Sequence, residues 1–104
     1  MKISYNESEE IFDVYGIYQI SEDIYYLVIS SDHSGMVAID CKNTKIIDPV
    51  IPKGFIFQIN DQGFTLFPEI LQDSSFLERL LECDELAVRV FLNCTGQAAQ
   101  DTFI

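Results

Sequence analysis

Residues 11–30 read IFDVYGIYQISEDIYYLVIS. β-Branched and aromatic residues crowd this stretch: Val14, Tyr15, Ile17, Tyr18 and Ile20, then Ile24 to Ile29. Such residues fit a pleated, half-buried surface. Ser21-Glu22-Asp23 separates the two runs and is short enough for a hairpin turn. Gly16, inside the first run, marks a bulge or bend. The stretch therefore predicts two antiparallel strands, over 11–20 and 24–30.

The pattern continues outward. Ser31-Asp32-His33-Ser34-Gly35 is a polar loop ending in glycine, Met36–Asp40 a third strand, and Lys42-Asn43-Thr44 a turn into Lys45-Ile46-Ile47. Asp48-Pro49-Val50-Ile51-Pro52 breaks the series, because two prolines three apart cannot sit in a central strand. Gly54–Ile59 and Phe64–Phe67 resume it as a hairpin around Asn60-Asp61-Gln62-Gly63.

Then the period changes from two to 3.6. Phe76, Leu77, Leu80 and Leu81 share one helical face, opposite Glu78, Arg79 and Glu82. Ser75 as N-cap with Glu78 at N3 reads as a capping box, with Asp73 and Ser74 as other capping candidates. A helix is expected over 75–83. Residues 85–93 are ambiguous: Leu86, Ala87, Val90 and Phe91 suit a helix stripe, and Val88, Val90, Phe91 and Leu92 a buried strand. The reading favours helix, stopped by Gly96, with a loosely held tail over 97–104. The expectation is one α+β domain: an antiparallel β-sheet of about five or six strands with C-terminal helix packed on one face.

Charge is the unusual quantity. The 104 residues hold 17 acids and 6 bases, a net charge of -11, with 48% apolar residues. That apolar content is globular, not that of a disordered acidic tail. Residues 1–52 carry 9 acids and 3 bases and residues 53–104 carry 8 and 3, so the folded body bears the charge. Such a field repels nucleic-acid phosphates and anionic lipid and attracts basic proteins. A role in solubility alone is the competing reading, although the charge exceeds the roughly 2–8 that solubility asks of a small domain.

Catalytic chemistry finds little support. His33 is the one histidine and lies in a polar turn, without the orienting partner a general base needs. Cys41, Cys83 and Cys94 form no CxxC pair and no zinc spacing, and read as free thiols, small and buried, in a reducing cytosol. No phosphate-binding glycine motif occurs, and the five glycines are scattered. Glu9-Glu10, Glu22-Asp23 and Asp84-Glu85 are adjacent acids, yet adjacency does not split their proton affinities as catalysis requires. No metal, cofactor or enzymatic activity is expected. The N-terminus lacks the apolar stretch of a signal peptide and no run reaches the ~20 apolar residues of a membrane span, so the expected compartment is cytoplasmic.

A binding surface remains. Glu7, Glu9, Glu10 and Asp13 run without an intervening base. Tyr15, Tyr18, Glu22, Asp23 and Tyr25 follow, and all five tyrosines fall within the first 26 residues. Tyrosine anchors beside carboxylates suit an interface with a basic protein: aromatics supply buried area, acids steer the encounter. Alternation of tyrosines between core and surface explains the same pattern without a partner. A second acidic group, Glu78, Glu82, Asp84 and Glu85, also reads as an ordinary solvated helix face.

Gly35-Met36-Val37-Ala38-Ile39-Asp40, Lys45-Ile46-Ile47 and Ser74-Ser75-Phe76-Leu77-Glu78-Arg79-Leu80-Leu81 resemble the C-terminal part of small bacterial immunity proteins of the SUKH superfamily. The shared order is a strand ending in Asp, a polar turn, another strand, then an SF-x-x-FL-like helix. The resemblance covers about residues 24–83, without the N-terminal helical segment and its LP-x-x-Y-type pattern. The wider class, immunity proteins of contact-dependent inhibition and polymorphic toxin systems, is similar in size and acidity. The resemblance implies neutralisation of a cognate toxin domain, often a basic nuclease, by covering its active site. It assigns no residue role position by position. An acidic cytosolic chaperone for a secreted effector protein is the competing expectation.

Overall fold

The computed structural model describes residues 1–5, 10–29 and 35–102, with side chains through residue 94. Eight strands precede two helices: β1 (Lys2–Tyr5), β2 (Ile11–Asp13), β3 (Gly16–Ile20), β4 (Asp23–Ile29), β5 (Met36–Asp40), β6 (Thr44–Asp48), β7 (Phe55–Asn60), β8 (Gly63–Pro68), α1 (Ser74–Leu81) and α2 (Glu85–Thr102). The α+β class is as expected. The strands, however, form two antiparallel sheets, ordered β2-β1-β6 and β5-β4-β3-β8-β7.

The division happens inside the opening stretch. Residues 11–20 split at Val14-Tyr15 into β2 and β3, which enter different sheets. Val14 N–H donates to the Met1 carbonyl at 2.9 Å, while Tyr15 N–H donates to the Leu27 carbonyl at 2.8 Å. Gly16 follows, and a Cβ there would sit 2.8 Å from the Phe67 ring, so the chain crosses where only glycine lets it. The bend expected at Gly16 is thus a change of sheet. Strand β1 completes the small sheet. Ile3, fully buried, lies opposite Phe12 on β2 and Ile46 on β6.

The five-stranded sheet is the middle layer of three. On one face Leu27, Ile29, Met36 and Phe67 pack with Leu71, Leu80, Ala87, Val88 and Phe91 of the helical layer. On the other, Ile17, Tyr26, Val28 and Ile39 pack with Ile3 and Val14 of the small sheet. β4 is therefore covered on both sides, which accounts for its unbroken apolar run.

The helices correct three local expectations. Asp73, not Ser75, caps α1: its Oδ1 accepts from Ser75 N–H at 3.0 Å and Phe76 N–H at 3.3 Å. Aspartate accepts with a full charge beside the helix N-terminus, so it outcompetes the serine two residues on. α1 ends in a Schellman turn rather than at 83: Cys83 is left-handed (φ 64) and Asp84 N–H reaches the Arg79 carbonyl at 3.0 Å. Residues 85–93 are helical, as favoured, but Gly96 stops nothing and α2 runs on to Thr102. An interior glycine costs a helix about 1 kcal/mol and does not by itself end one. The thiols are free, yet Cys83 and Cys94 are exposed, not buried.

Candidate functional site

Two hairpins meet side by side. β3–β4 turns through Ser21-Glu22, with Ser21 at φ 56, and β7–β8 turns through Asp61-Gln62. Positive φ at the first loop position suits a two-residue hairpin, and Ser21 adopts it; in the second turn the positive φ falls instead on Gly63, just after the loop. Ser21 N–H donates to the Gln62 carbonyl at 2.8 Å and joins the tips. Asn60 Oδ1 accepts from Gln62 and Gly63 N–H at 2.9 and 3.0 Å and fixes the second turn. Gly63, at φ +151, lies so close to β3 that a Cβ would sit 2.9 Å from the Gln19 carbonyl oxygen.

Helix α1 lies across this corner and leaves a groove. Two adjoining clefts, of about 190 Å³ and about 240 Å³, share Asn60, Thr65, Phe67 and Leu77. Tyr18, Gln19, Ile20, Leu27, Gln62 and Leu81 complete one end, and Gln58, Ile59, Leu71, Gln72 and Ser74 the other. None of these lining residues is charged, in a chain of net charge -11. Acids stand next to the lining in sequence: Glu22 and Asp61 on the joined tips, Glu78 and Glu82 beside Leu77 and Leu81 on α1. All four are exposed. The arrangement is an uncharged apolar and amide floor on a strongly acidic body, with exposed carboxylates close in sequence to its lining. It suits a segment with apolar side chains and flanking cations.

The predicted partner-binding residues fall in different places. Tyr18 lines the groove and stacks on Tyr25 at 5.2 Å between ring centres, and Glu22 and Asp23 belong to the adjoining hairpin. Tyr15 packs edge-on against Phe91 at 5.1 Å, under α2. Burial first, and the Asp13 carboxylate second, hold the Tyr15 phenol above its usual range. Burial likewise raises Tyr18, helped by the neighbouring Tyr25 phenol. Glu10 and Asp13 are exposed at the small sheet, and Asp13 pairs across strands with Lys2 at 3.0 Å. Glu7 and Glu9 lie outside the described residues, as does His33. Sequence reading missed the groove and Asp61. The hairpin signal at Asn60–Gly63 was present, but nothing in one sequence tells that two tips adjoin.

Other ion pairs are superficial. Lys42 meets Asp23 at 3.3 Å, Arg79 meets Asp84 at 3.0 Å and Arg89 meets Glu85 at 3.5 Å. The Arg79 hydrogen bond, then the Ala87 N–H it caps, hold the Asp84 carboxyl below its ordinary range. Among the described residues no cluster of His, Cys, Asp and Glu could hold a metal ion, and no helix is long and apolar enough to cross a membrane. The chain matches no protein-family model, no curated protein and no solved structure.

Proposed function

We propose that this chain binds and neutralises a basic protein domain, in the manner of a toxin immunity protein, with the groove and the acids close in sequence to its lining as the contact surface. One observation carries the reading: an uncharged groove lies in a strongly acidic body, with the exposed acids Glu22, Asp61, Glu78 and Glu82 close in sequence to its lining residues. The acidic field draws a cationic partner in and speeds encounter. Apolar side chains of the partner then fill the floor over Phe67 and Leu77, where water is excluded. On a nuclease, the carboxylates would meet the cations that otherwise hold substrate phosphates, and so block the active site.

The test screens basic protein domains encoded next to this gene for binding, with nuclease protection and association kinetics as readouts. Glu22→Lys, Asp61→Lys and Glu78→Lys together are expected to slow association at least tenfold at low salt and to flatten its salt dependence. The matching reversal of Glu9, Glu10 and Asp13 separates the groove from the N-terminal acidic stretch. Unchanged protection after the groove reversal sinks the proposed surface.

The second reading, a chaperone for a secreted effector, is favoured by the open apolar strand β7, where Phe57 is 58% and Ile59 80% exposed. A chaperone would keep its effector soluble without abolishing a toxic activity.

A further inference from the structure

Strand β7 ends the five-stranded sheet and carries no charge, proline or bulge between Phe55 and Asn60. The edges of the small sheet are protected differently. β2 has only three residues, and β6 carries Lys45, Asp48 and a register shift opposite Lys2/Ile3. An unprotected apolar edge is a template for another strand.

The hydrogen-bond parity of β7 follows from its turn. Asn60 and Gly63 flank a two-residue loop, so they form the hydrogen-bonded pair that closes it, and alternation assigns Gln58 and Ile56 to β8 as well. Phe55, Phe57 and Ile59 therefore direct N–H and C=O away from β8, toward the open edge. Their side chains share the face of Phe64 and Leu66, opposite which they stand in register or on the diagonal, and Phe57 stacks on Phe64 at 5.5 Å. The small sheet stops short of them, since Phe57 and Ile59 stay exposed.

We propose that β7 is a homodimer interface, in which two copies pair antiparallel about a two-fold axis into one continuous sheet. Only one register matches all three outward-facing residues: Phe57 opposite its own copy, and Phe55 opposite Ile59. That register also brings Lys53 of each copy to the Asp61 end of the other. Charge complementarity thus selects a second copy, since the one lysine flanking β7 meets the one acid at its other end. The paired surface, a single strand per copy, falls below the ~1,200 Å² of a stable complex, so the dimer forms at micromolar concentrations or above. The inference does not rest on the partner proposed for the groove, although Ile59 lines one cleft and Asp61 belongs to the joined tips beside it.

Sedimentation equilibrium from about 10 µM to about 1 mM reads the association. A monomer–dimer equilibrium is expected, with the dissociation constant raised tenfold or more by Ile59→Lys, a position exposed enough to keep the fold. Lys53→Glu and Asp61→Lys should each weaken the dimer, and the double exchange should restore it. Asp61→Lys is the sharper half, because it lowers the net repulsion between two acidic copies and yet should loosen them. With Cys41, Cys83 and Cys94 replaced by Ser, Phe57→Cys should cross-link to its own copy under added oxidant, because hydrogen-bonded antiparallel pairs hold Cα atoms about 5.5 Å apart. Ile56→Cys should not. A monomer throughout the range overturns the proposal. So does a dimer that ignores Ile59→Lys and leaves Cys at position 57 unlinked, and so does a monomer whose capture of a basic partner is lost with Phe57→Lys, at a position outside the groove lining, which would assign the edge to that partner.

Discussion

Strands β4 and β7 are written in nearly the same alphabet and meet opposite fates. β4 reads DIYYLVI and buries Tyr26, Leu27, Val28 and Ile29 to 8% exposure or less. β7 reads FIFQIN and leaves Ile56, Phe57 and Ile59 at 41%, 58% and 80%. The difference is position. β4 lies between β5 and β3, with helices on one face and the small sheet on the other, and both coverings end before β7. Apolar content tells which segments become strands. Which strands are covered is set by how far the neighbouring layers reach. An apolar strand beyond that reach is free to meet another molecule.

Truncation on the two strands breaks the comparison most sharply. Leu27, 1% exposed, packs in the cluster of Phe67, Leu80 and Phe91. Leu27→Ala is expected to cost about 2–5 kcal/mol, through lost burial and a residual cavity. A domain of this size has about 5–15 kcal/mol in total. Ile59→Ala should change stability by about 0.5 kcal/mol or less at low protein concentration. Urea denaturation of both at micromolar protein checks the contrast, and equal costs would show that β7 is covered in solution.

A smaller effect is expected where the buried and exposed hairpins join. Gly63 combines φ +151 with a close approach to Gln19 of β3. Gly63→Ala forces the backbone from that region and pushes a Cβ against the Gln19 carbonyl, which costs on the order of 1–3 kcal/mol. It should also part the hairpin tips, so the Ser21 amide, bonded to the Gln62 carbonyl, would lose its slow hydrogen exchange. Gly54→Ala makes a fair reference: φ is +92 there too, but a Cβ meets no atom within 4 Å. The excess cost at Gly63 is the price of the joint.

Most elements were legible, but β1 was not read from residues 2–5, and α2 runs past the Gly96 stop expected for it. Turn residues at 21–23 and 60–63 and the change of period after residue 73 place the strands and α1 close to where they lie. The two-sheet division was not, because Val14 and Tyr15 both suit a strand, and only the partners of their amides show that the chain leaves one sheet for another. The site was legible as a composition and hardly as a place. Tyr18, Glu22, Asp23 and Tyr25 adjoin because one hairpin carries them, whereas Tyr15 is drawn under α2 by Phe91. Asp61 joins them through contacts across the sheet, which leave no trace in local sequence.

The smallest effect concerns the layer whose reach separates β4 from β7. Helix α1 covers Phe67 on β8 with Leu80 and leaves Leu77 to floor the groove. Its first turn is held by Asp73, whose carboxylate accepts from Ser75 and Phe76 N–H. Asp73→Ala is expected to cost about 1 kcal/mol, the usual value of a lost N-cap, and Ser75→Ala almost nothing. Thermal denaturation of the pair distinguishes this cap from the capping box that the Ser75–Glu78 spacing predicts, where the larger loss would fall on Ser75. A loosened first turn should also widen the groove at its Ser74 and Leu77 end while β4, under α2 and the small sheet, stays protected from hydrogen exchange. Protection lost equally from β4 and from the groove would mean that α1, and not the reach of all three layers together, decides which strands are covered.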